Sequence, residues 1–223
     1  MIKISHLKKT YKNGKIETNA LCDVSMEINR GEFVMILGRS GCGKSTLLNV
    51  LGGIDLPTGG SYIFEDREVS SLNNKQLAYF RNKKIGYIFQ AYHLVDELNA
   101  TNNVALPLGY AGVRKKEREK RAREALLRVG LADREKHYPN QLSGGQQQRV
   151  AIARAIVNNP SVILADEPTG NLDEENGKVI MELLKKLNDE GTTIVMVTHD
   201  KSLTSYADRV IEIKDGCCDS KPD

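Results

Sequence analysis

The sequence predicts an α/β fold built on a mostly parallel sheet. The first observation is a set of short, continuous apolar runs at residues 33–37, 162–165 and 194–197, which are typical of strands buried on both faces. The second is that helical patterns separate these runs, for example at residues 45–51 and 174–190. Because strands that alternate with helices form parallel sheets, we expect a sheet covered by helices.

Shorter patterns predict the remaining elements. Residues 1–31 alternate loosely between apolar and polar side chains, which predicts short strands broken by a turn at Lys12-Asn13-Gly14-Lys15. Residues 59–69 are predicted to form a short hairpin, and residues 85–89 a strand. Residues 209–213 are predicted to form a strand that enters the turn Asp215-Gly216. The antiparallel elements therefore concentrate in the first third of the chain.

Length and composition allow one large domain, or one domain with an inserted subdomain. The chain has 223 residues, of which 40% are hydrophobic, and its formal net charge is +3. Such a small net charge gives no global argument for nucleic-acid binding. Residues 114–130 are highly charged, but acids alternate with bases at helical spacing, so we favour a solvated helix held by ion pairs.

Nothing in the sequence predicts a membrane span. No apolar stretch approaches the roughly 18 residues that a spanning helix needs, and residues 1–5 lack the layout of a signal peptide. We therefore expect a chain that is soluble and intracellular by itself. The cysteines, Cys22, Cys42, Cys217 and Cys218, match no metal-binding spacing and are expected to be reduced thiols.

Residues 38–45, Gly-Arg-Ser-Gly-Cys-Gly-Lys-Ser, match the phosphate-loop pattern without a mismatch. They follow a predicted strand and open a predicted helix, which is the context that the pattern requires. Glycines let the backbone N–H groups surround a phosphate, and the helix N-terminus adds positive potential. We expect Lys44 to reach the β- and γ-phosphates of a nucleotide and Ser45 to bind Mg²⁺.

Two adjacent acids follow the apolar run 162–165. The strand should deliver Asp166 to the carboxyl edge of the sheet, where ligands of such sheets bind. Asp166 is then expected to hold Mg²⁺, mostly through water, and Glu167 to polarise an attacking water. Together with a phosphate loop, this pair indicates nucleotide hydrolysis.

A second phosphate-binding helix end is predicted at Leu-Ser-Gly-Gly-Gln, residues 142–146. Ser143 has the character of an N-cap for the helix that follows, and the two glycines leave backbone N–H groups uncovered. One ATP in one chain needs one cradle. The second helix end is therefore expected to serve the ATP of another molecule.

These motifs, in this order, resemble the nucleotide-binding subunits of ATP-binding cassette (ABC) transporters over essentially the whole chain. The resemblance implies a P-loop NTPase (RecA-like) core with an antiparallel β subdomain and an inserted α-helical subdomain. Residues 1–223 would form a single ABC ATPase domain, with the helical insertion at about residues 91–158. A small-molecule kinase could share the phosphate loop but would not need the 142–146 segment.

The resemblance also implies roles for individual residues. Tyr11 is similar to the aromatic residue that stacks on adenine, Gln90 to the glutamine that touches Mg²⁺ and the attacking water, and His199 to the histidine that contacts the γ-phosphate. Glu167, His199 and Gln90 would be the catalytic residues. Ser45, Gln90 and Asp166 would hold the metal. Nucleotide contacts are expected from Tyr11, Gly38, Arg39, Ser40, Gly41, Cys42, Gly43, Lys44, Ser45, Thr46, Ser143, Gly144, Gly145, Gln146 and Asp173.

One segment departs from the common pattern of the family. Asp173 ends a loop that would cross the dimer interface, and the family more often has Ser-Ala-Leu-Asp there. This chain has Gly170-Asn171-Leu172-Asp173 instead. The departure leaves Asp173 in place.

The function implied is an ATPase that dimerises around two ATP molecules and drives a transmembrane permease from the cytoplasmic face of the cell membrane, with no nucleic-acid partner. Residues 47–55, 85–90 and 170–173 resemble the lipoprotein-releasing, macrolide-export and antimicrobial-peptide-resistance group. The segment near 91–110 should contain much of the permease-docking surface. An ATPase that regulates cell-wall hydrolysis or division stays open as an alternative, as does whether the chain is complete.

Overall fold

A computed structural model describes residues 1–14 and 16–218. The strands of this part join one ten-stranded sheet in the order β5-β4-β1-β2-β10-β9-β3-β8-β7-β6. They are β1 (Ile2–Asn13), β2 (Ile16–Ile28), β3 (Phe33–Leu37), β4 (Gly59–Phe64), β5 (Arg67–Glu68), β6 (Ile85–Ile88), β7 (Val162–Asp166), β8 (Thr193–Thr198), β9 (Arg209–Lys214) and β10 (Cys217–Cys218). The helices are α1 (Lys44–Leu51), α2 (Asn74–Lys84), α3 (Ala100–Tyr110), α4 (Lys115–Arg128), α5 (Gly144–Ile156) and α6 (Glu174–Asp189).

The predicted parallel half of the sheet is confirmed. Strands β9, β3, β8, β7 and β6 pair in parallel, in that order. β3 and β8 are buried along their whole length, as continuous apolar runs predict. All five strands end at one edge, which we call the carboxyl edge.

The antiparallel half differs from the prediction in its first hairpin. β1 and β2 are long, and the predicted turn residues Lys12 and Asn13 pair within the sheet with Glu17 and Ile16. Lys15, also predicted in the turn, lies outside the described residues. The alternation fades here because both faces of this end of the hairpin are exposed: Ile16 is 71% exposed. Pairing continues through polar contacts, including the 2.7 Å ion pair from Lys12 Nζ to Glu17 Oε1.

The sequence patterns above do not predict α2 or α3. α2 is mostly polar, and its start is marked by a capping box in which Asn73 and Gln76 exchange hydrogen bonds. α3 begins at the cap Asn99 and contains Pro107, which argues against a helix in the sequence. The buried Asn103 side chain fixes the start of the helix, because it accepts from the Val95 N–H and donates to the carbonyl oxygens of Val95 and Leu98.

Two hydrophobic cores cover the two faces of the sheet. In β3, Phe33 and Met35 face one core while Val34 and Ile36 face the other. The first core contains the apolar faces of α3, α4, α5 and α6. The second contains those of α1 and α2 together with the antiparallel strands. α1 and α5 therefore lie on opposite faces.

Helices α3, α4 and α5 pack on one another, and they span much of the predicted helical insertion. The insertion's bounds of about 91–158 stay a prediction. Within residues 1–14 and 16–218, no helix has both the length and the apolarity that crossing a membrane requires.

Candidate functional site

The phosphate loop connects β3 to α1, and two of its glycines are enforced by sterics. Gly43 has φ +102°, and a Cβ there would lie 2.4 Å from the carbonyl oxygen of Ala20. A Cβ on Gly38 would lie 2.4 Å from Cys42 Sγ and 2.6 Å from the carbonyl oxygen of Ile213. Side chains at either position would push the loop away from the sheet edge. The loop therefore keeps the backbone exposed at the start of α1.

Lys44 is the first residue of α1 and is almost fully buried, with 6% of its surface exposed. Its Nζ donates hydrogen bonds to the carbonyl oxygens of Gly38 (2.8 Å) and Arg39 (3.0 Å), and it lies 3.9 Å from Glu167 Oε1. The ammonium group is thus held under the phosphate loop by backbone oxygens, with Glu167 as a more distant ion-pair partner. Phosphate oxygens entering the loop could take over as its charged acceptors.

Ser45 and Asp166 meet at the carboxyl edge. Ser45 Oγ donates a 3.1 Å hydrogen bond to Asp166 Oδ1, the last residue of β7. Burial raises the pKa of Asp166, and the neighbouring Glu167 carboxylate adds to this, against the opposing effects of Ser45 and Lys44. A hydroxyl and a carboxylate are hard oxygen donors. This pair therefore fits Mg²⁺, which prefers such ligands.

Glu167 follows Asp166 and is held between Lys44 and His199. Glu167 Oε2 lies 3.0 Å from His199 Nδ1, and the Glu167 N–H donates to the carbonyl oxygen of Val197 over 3.0 Å. Glu167 has φ +44°, an uncommon conformation for a residue with a side chain, which costs about 1–3 kcal/mol. The fold thus places the Glu167 carboxylate at the carboxyl edge of the sheet, and the strained backbone lowers the stability of the protein.

Tyr11 lies near the end of β1, beside the first turn of α1. Its hydroxyl donates to Asp55 Oδ2 over 2.8 Å and also meets the side chain of Thr46. Lys9 Nζ lies 4.9 Å from the ring centroid, and 41% of Tyr11 is exposed. The ring is therefore anchored at its hydroxyl and by a cation, while part of its surface stays open.

The second predicted helix end is the start of α5. Ser143 Oγ accepts from Gln146 N over 3.3 Å, and Gln146 Oε1 accepts from Ser143 N over 3.0 Å, which forms a capping box. A Cβ on Gly144 would lie 2.9 Å from Tyr92 Oη, and a Cβ on Gly145 would lie 2.3 Å from Asn176 Oδ1. A side chain at either position would therefore require Tyr92 or Asn176 to move.

Asp173 is the N-cap of α6. Its carboxylate accepts hydrogen bonds from the backbone and the side chain of Asn176 at 2.8–3.0 Å, and these bonds lower the pKa of Asp173. The loop before it, from Glu167 onward, contains Asn171, whose side-chain amide pairs with Gln90 after β6.

The structure groups the predicted site residues into two sets. The phosphate loop, Asp166, Glu167 and His199 lie together at the carboxyl edge, with Tyr11 beside them. The capped start of α5 belongs to the helical face and contacts residues that follow β6 and β7. Gln90 lies in the loop after β6, against the loop that carries Glu167.

Sequence reasoning gave no role to three residues of this region. Gln148 is fully buried, and its Nε2 donates to the carbonyl oxygens of Pro168 (2.6 Å) and Phe89 (3.4 Å), which ties α5 to two edge loops. Its place one turn after Gly144 could have indicated that it faces inward. Tyr92 has φ +56° and contacts Gly144. For Asn171, the signal was its departure from the family's common pattern.

Comparisons with known proteins agree with this geometry. The sequence profile of the family described as "ABC transporter" matches residues 21–170. The ABC transporter ATP-binding protein MJ1508 of Methanocaldococcus jannaschii is 52% identical over 216 residues, which cover 97% of this chain and 96% of the relative. The macrolide export ATP-binding/permease protein MacB of Salmonella typhimurium is 49% identical over 97% of this chain, which spans only 33% of MacB.

A solved structure shows the same fold. The dimeric ATP-binding cassette MJ0796, in a post-hydrolysis state bound to ADP and Pi, superposes with a TM-score of 0.91 at 46% sequence identity. The match covers 99% of this chain and 97% of that one.

Proposed function

This chain belongs to the ABC transporter family as one of its ATP-hydrolysing cassettes, and on that premise we propose that two copies enclose two ATP molecules and drive a membrane permease. Each ATP would lie between the phosphate loop of one copy and the segment Ser143–Gln146 of the other. Closure would need ATP because the nucleotide supplies the bridge between the copies. Hydrolysis removes that bridge and reopens the pair.

The observation that carries this proposal is the placement of two phosphate-binding helix ends on opposite faces of one sheet. α1 packs in the core of the antiparallel side, and α5 packs in the core of the helical side. The start of each helix contains a glycine at which a Cβ would clash with neighbouring atoms, and exposed residues lie beside it: residues 39–41 before α1 and Ser143 before α5. A single nucleotide on the phosphate loop leaves the second end without a ligand, and a second copy supplies one.

We assign the chemistry to residues at the carboxyl edge. The backbone of the phosphate loop and Lys44 bind the phosphates, and the Tyr11 ring stacks on the base, a contact of about 1–3 kcal/mol. Glu167 orients and polarises the attacking water, because its carboxylate already lies beside Lys44 and His199. His199 then lies where it can contact the γ-phosphate. Catalysis comes mainly from positioning and from electrostatic stabilisation.

Ser45, Asp166 and Gln90 would hold Mg²⁺, through their hydroxyl, carboxylate and amide oxygens. The cation would neutralise phosphate charge when bound. The unfavourable electrostatic environment of the Asp166 carboxylate supports this role, since a cation there relieves the burial and the repulsion from Glu167.

We place the permease contact in an open groove between α2 and β6 on one side and α3 and α5 on the other. The groove begins next to Gln90 and is lined by Tyr79, Phe89, His93 and Tyr110. Tyr79 is 64% exposed and Tyr110 is 85% exposed, and aromatic side chains are enriched at protein interfaces. The groove overlaps the predicted 91–110 docking segment. A permease bound there would hold the chain at the cytoplasmic face of the membrane.

Among the related processes, we favour export. MacB is named for macrolide export, and its name describes an ATP-binding protein and a permease in one chain. This chain would act on a permease that is a separate subunit or that lies in further sequence of the same polypeptide. The names of the relatives refer to transport, so the cell-wall alternative gains no support from them.

A Glu167→Gln variant tests the proposal. The substitution keeps the size of the side chain but removes the carboxylate, so ATP should bind and hydrolysis should fall at least about 100-fold. The closed pair should then accumulate. Light scattering with ATP and Mg²⁺ should report a doubling of mass relative to the nucleotide-free protein.

A matched control adds Ser143→Arg to the same variant. The bulky cation should block the start of α5 and abolish the doubling, while binding of a fluorescent ATP analogue by the monomer persists. A parent-level rate in Glu167→Gln would contradict the role of Glu167. Doubling that survives Ser143→Arg would contradict the composite site.

A further inference from the structure

A reciprocal pair of amide hydrogen bonds joins the loop after β6 to the loop after β7. Gln90 Nε2 donates to Asn171 Oδ1 over 3.3 Å, and Asn171 Nδ2 donates to the carbonyl oxygen of Gln90 over 3.0 Å. One bond holds the side chain of Gln90 and the other holds its backbone. Gln90 is therefore fixed on the loop that carries Glu167.

Gly170 leaves the space that this contact needs. A Cβ at position 170 would lie 2.8 Å from Gln90 Nε2 and 3.3 Å from its Cδ. Gly170 and Asn171 are the two positions at which this chain departs from the family's more common Ser-Ala. Both departures serve one contact, since the first clears the space and the second supplies the hydrogen-bond partners.

We propose that Asn171 is a positioning residue for Gln90, acting through the orientation of the Gln90 carboxamide. The proposal rests on the role given to Gln90 in the proposed function. A carboxamide presents oxygen at one end and nitrogen at the other. Because Nε2 donates to Asn171, this contact does not use Oε1, and oxygen is the end that a cation or the proton of a water requires.

Because Asn171 orders the Gln90 side chain before the site closes, closure loses less conformational entropy in each catalytic cycle. Gln90 is an exposed side chain, and an unrestrained glutamine would have to be immobilised when the site closes. Gln148 Nε2 also donates to the carbonyl oxygen of the preceding residue, Phe89, over 3.4 Å. The backbone of this loop is thus restrained by two contacts, whereas the carboxamide is oriented by Asn171.

A double-mutant cycle tests the proposal with Asn171→Ala, Gln90→Ala and both together. Alanine is the residue of the common family pattern at this position, so the loop should tolerate it. We expect Asn171→Ala to lower kcat about tenfold, equivalent to about 1.4 kcal/mol, with little change in the KM for ATP. In the Gln90→Ala background, Asn171→Ala should cause no further loss.

Gly170→Ala should mimic Asn171→Ala by displacing the Gln90 amide, and Asn74→Ala, an exposed site at the start of α2, is the matched control. A second readout is the Mg²⁺ concentration for half-maximal ATP-driven dimerisation in the Glu167→Gln background. It should rise with Asn171→Ala and stay unchanged with Asn74→Ala.

Three results would overturn the proposal: an unchanged kcat in Asn171→Ala, an equal loss in both backgrounds, or a Gln90→Ala variant as active as the parent. None of these affects the mass doubling of Glu167→Gln by itself, so failure here is distinguishable from failure of the composite site. Melting temperatures of all variants should agree within about 2 °C, which separates positioning from loss of the fold.

Discussion

At opposite edges of the parallel sheet, the Glu65 and Asp166 carboxylates are held in opposite ways. At the edge where β3 and β6 start, Glu65 lies 2.6 Å from Lys84 Nζ and 2.9 Å from Arg30 Nη2. Burial acts to raise the pKa of Glu65, but these cations and a hydrogen bond from Ser161 outweigh it, and the pKa is lowered. At the carboxyl edge, burial raises the pKa of Asp166, and no partner reverses it.

The difference indicates that the ion pairs of Glu65 contribute to stability, whereas the surroundings of Asp166 favour the binding of a cation. A carboxylate paired with two cations gains nothing from a further charge. A half-buried carboxylate beside another acid, such as Asp166, is stabilised by an arriving cation, and such perturbed groups are typical of functional sites. The strained backbone of Glu167 belongs to the same edge. The predictions below test this contrast between the edges, from the largest effect to the smallest.

Lys44→Ala should show the difference between the two edges most clearly. Lys44 carries a buried cation at the carboxyl edge, and we expect its loss to weaken ATP binding about 100-fold, or about 2.8 kcal/mol. Titration with a fluorescent ATP analogue measures this. The control Lys84→Ala removes a cation from the opposite edge and should lower the melting temperature without changing ATP affinity. Equal ATP affinities in the two variants would break the contrast.

Glu65→Gln should destabilise the protein in a pH-dependent way. The pKa of Glu65 is lowered below its ordinary value of 4.5, so its contribution is present above that value and is lost as pH falls through the folded-state pKa. At pH 7 we expect a loss of about 1 kcal/mol, or about 2–4 °C in melting temperature.

Urea unfolding of the parent and Glu65→Gln proteins from pH 7 down to pH 3 measures the pH dependence. The difference should shrink below about pH 4.5, the value where an unperturbed glutamate takes up its proton. The control Glu124→Gln changes an exposed acid, 3.9 Å from Lys120 one turn away, and should change stability very little. A pH-independent difference at Glu65 would rule out its charge as the cause.

In nucleotide-free protein without Mg²⁺, Asp166→Asn should raise the melting temperature, whereas Glu65→Gln should lower it. The amide keeps the shape of the side chain and can still accept a hydrogen bond from Ser45, while the half-buried charge beside Glu167 is removed. We expect a rise of about 2 °C in melting temperature, together with loss of ATP hydrolysis. Differential scanning calorimetry with a chelator measures it. A fall in melting temperature would show that this carboxylate stabilises the empty fold as Glu65 does.

Much of the fold and of the site followed from local sequence patterns. The parallel strands at residues 33–37, 162–166 and 193–198 lie within one residue of their predicted positions, because continuous apolar runs are typical of strands buried on both faces. The phosphate loop and the start of α5 are likewise local, since glycines and a capping serine act on their own backbone. Other segments gave less: α2 was not predicted because it is mostly polar, α3 was not predicted because it contains Pro107, and the first hairpin extends into its predicted turn.

The sequence by itself determined which chemical groups this protein carries, in which order, and at which strand and helix ends. Only the tertiary structure decided their relations: that α1 and α5 lie on opposite faces, that Glu167 lies between Lys44 and His199, and that Asn171 holds Gln90 across 81 positions of the chain. The physical reason is the distance along the chain over which each kind of interaction acts. A turn, a cap or an apolar run depends on neighbouring residues, whereas the surroundings of a carboxylate or an amide come from distant segments that meet only in the packed sheet.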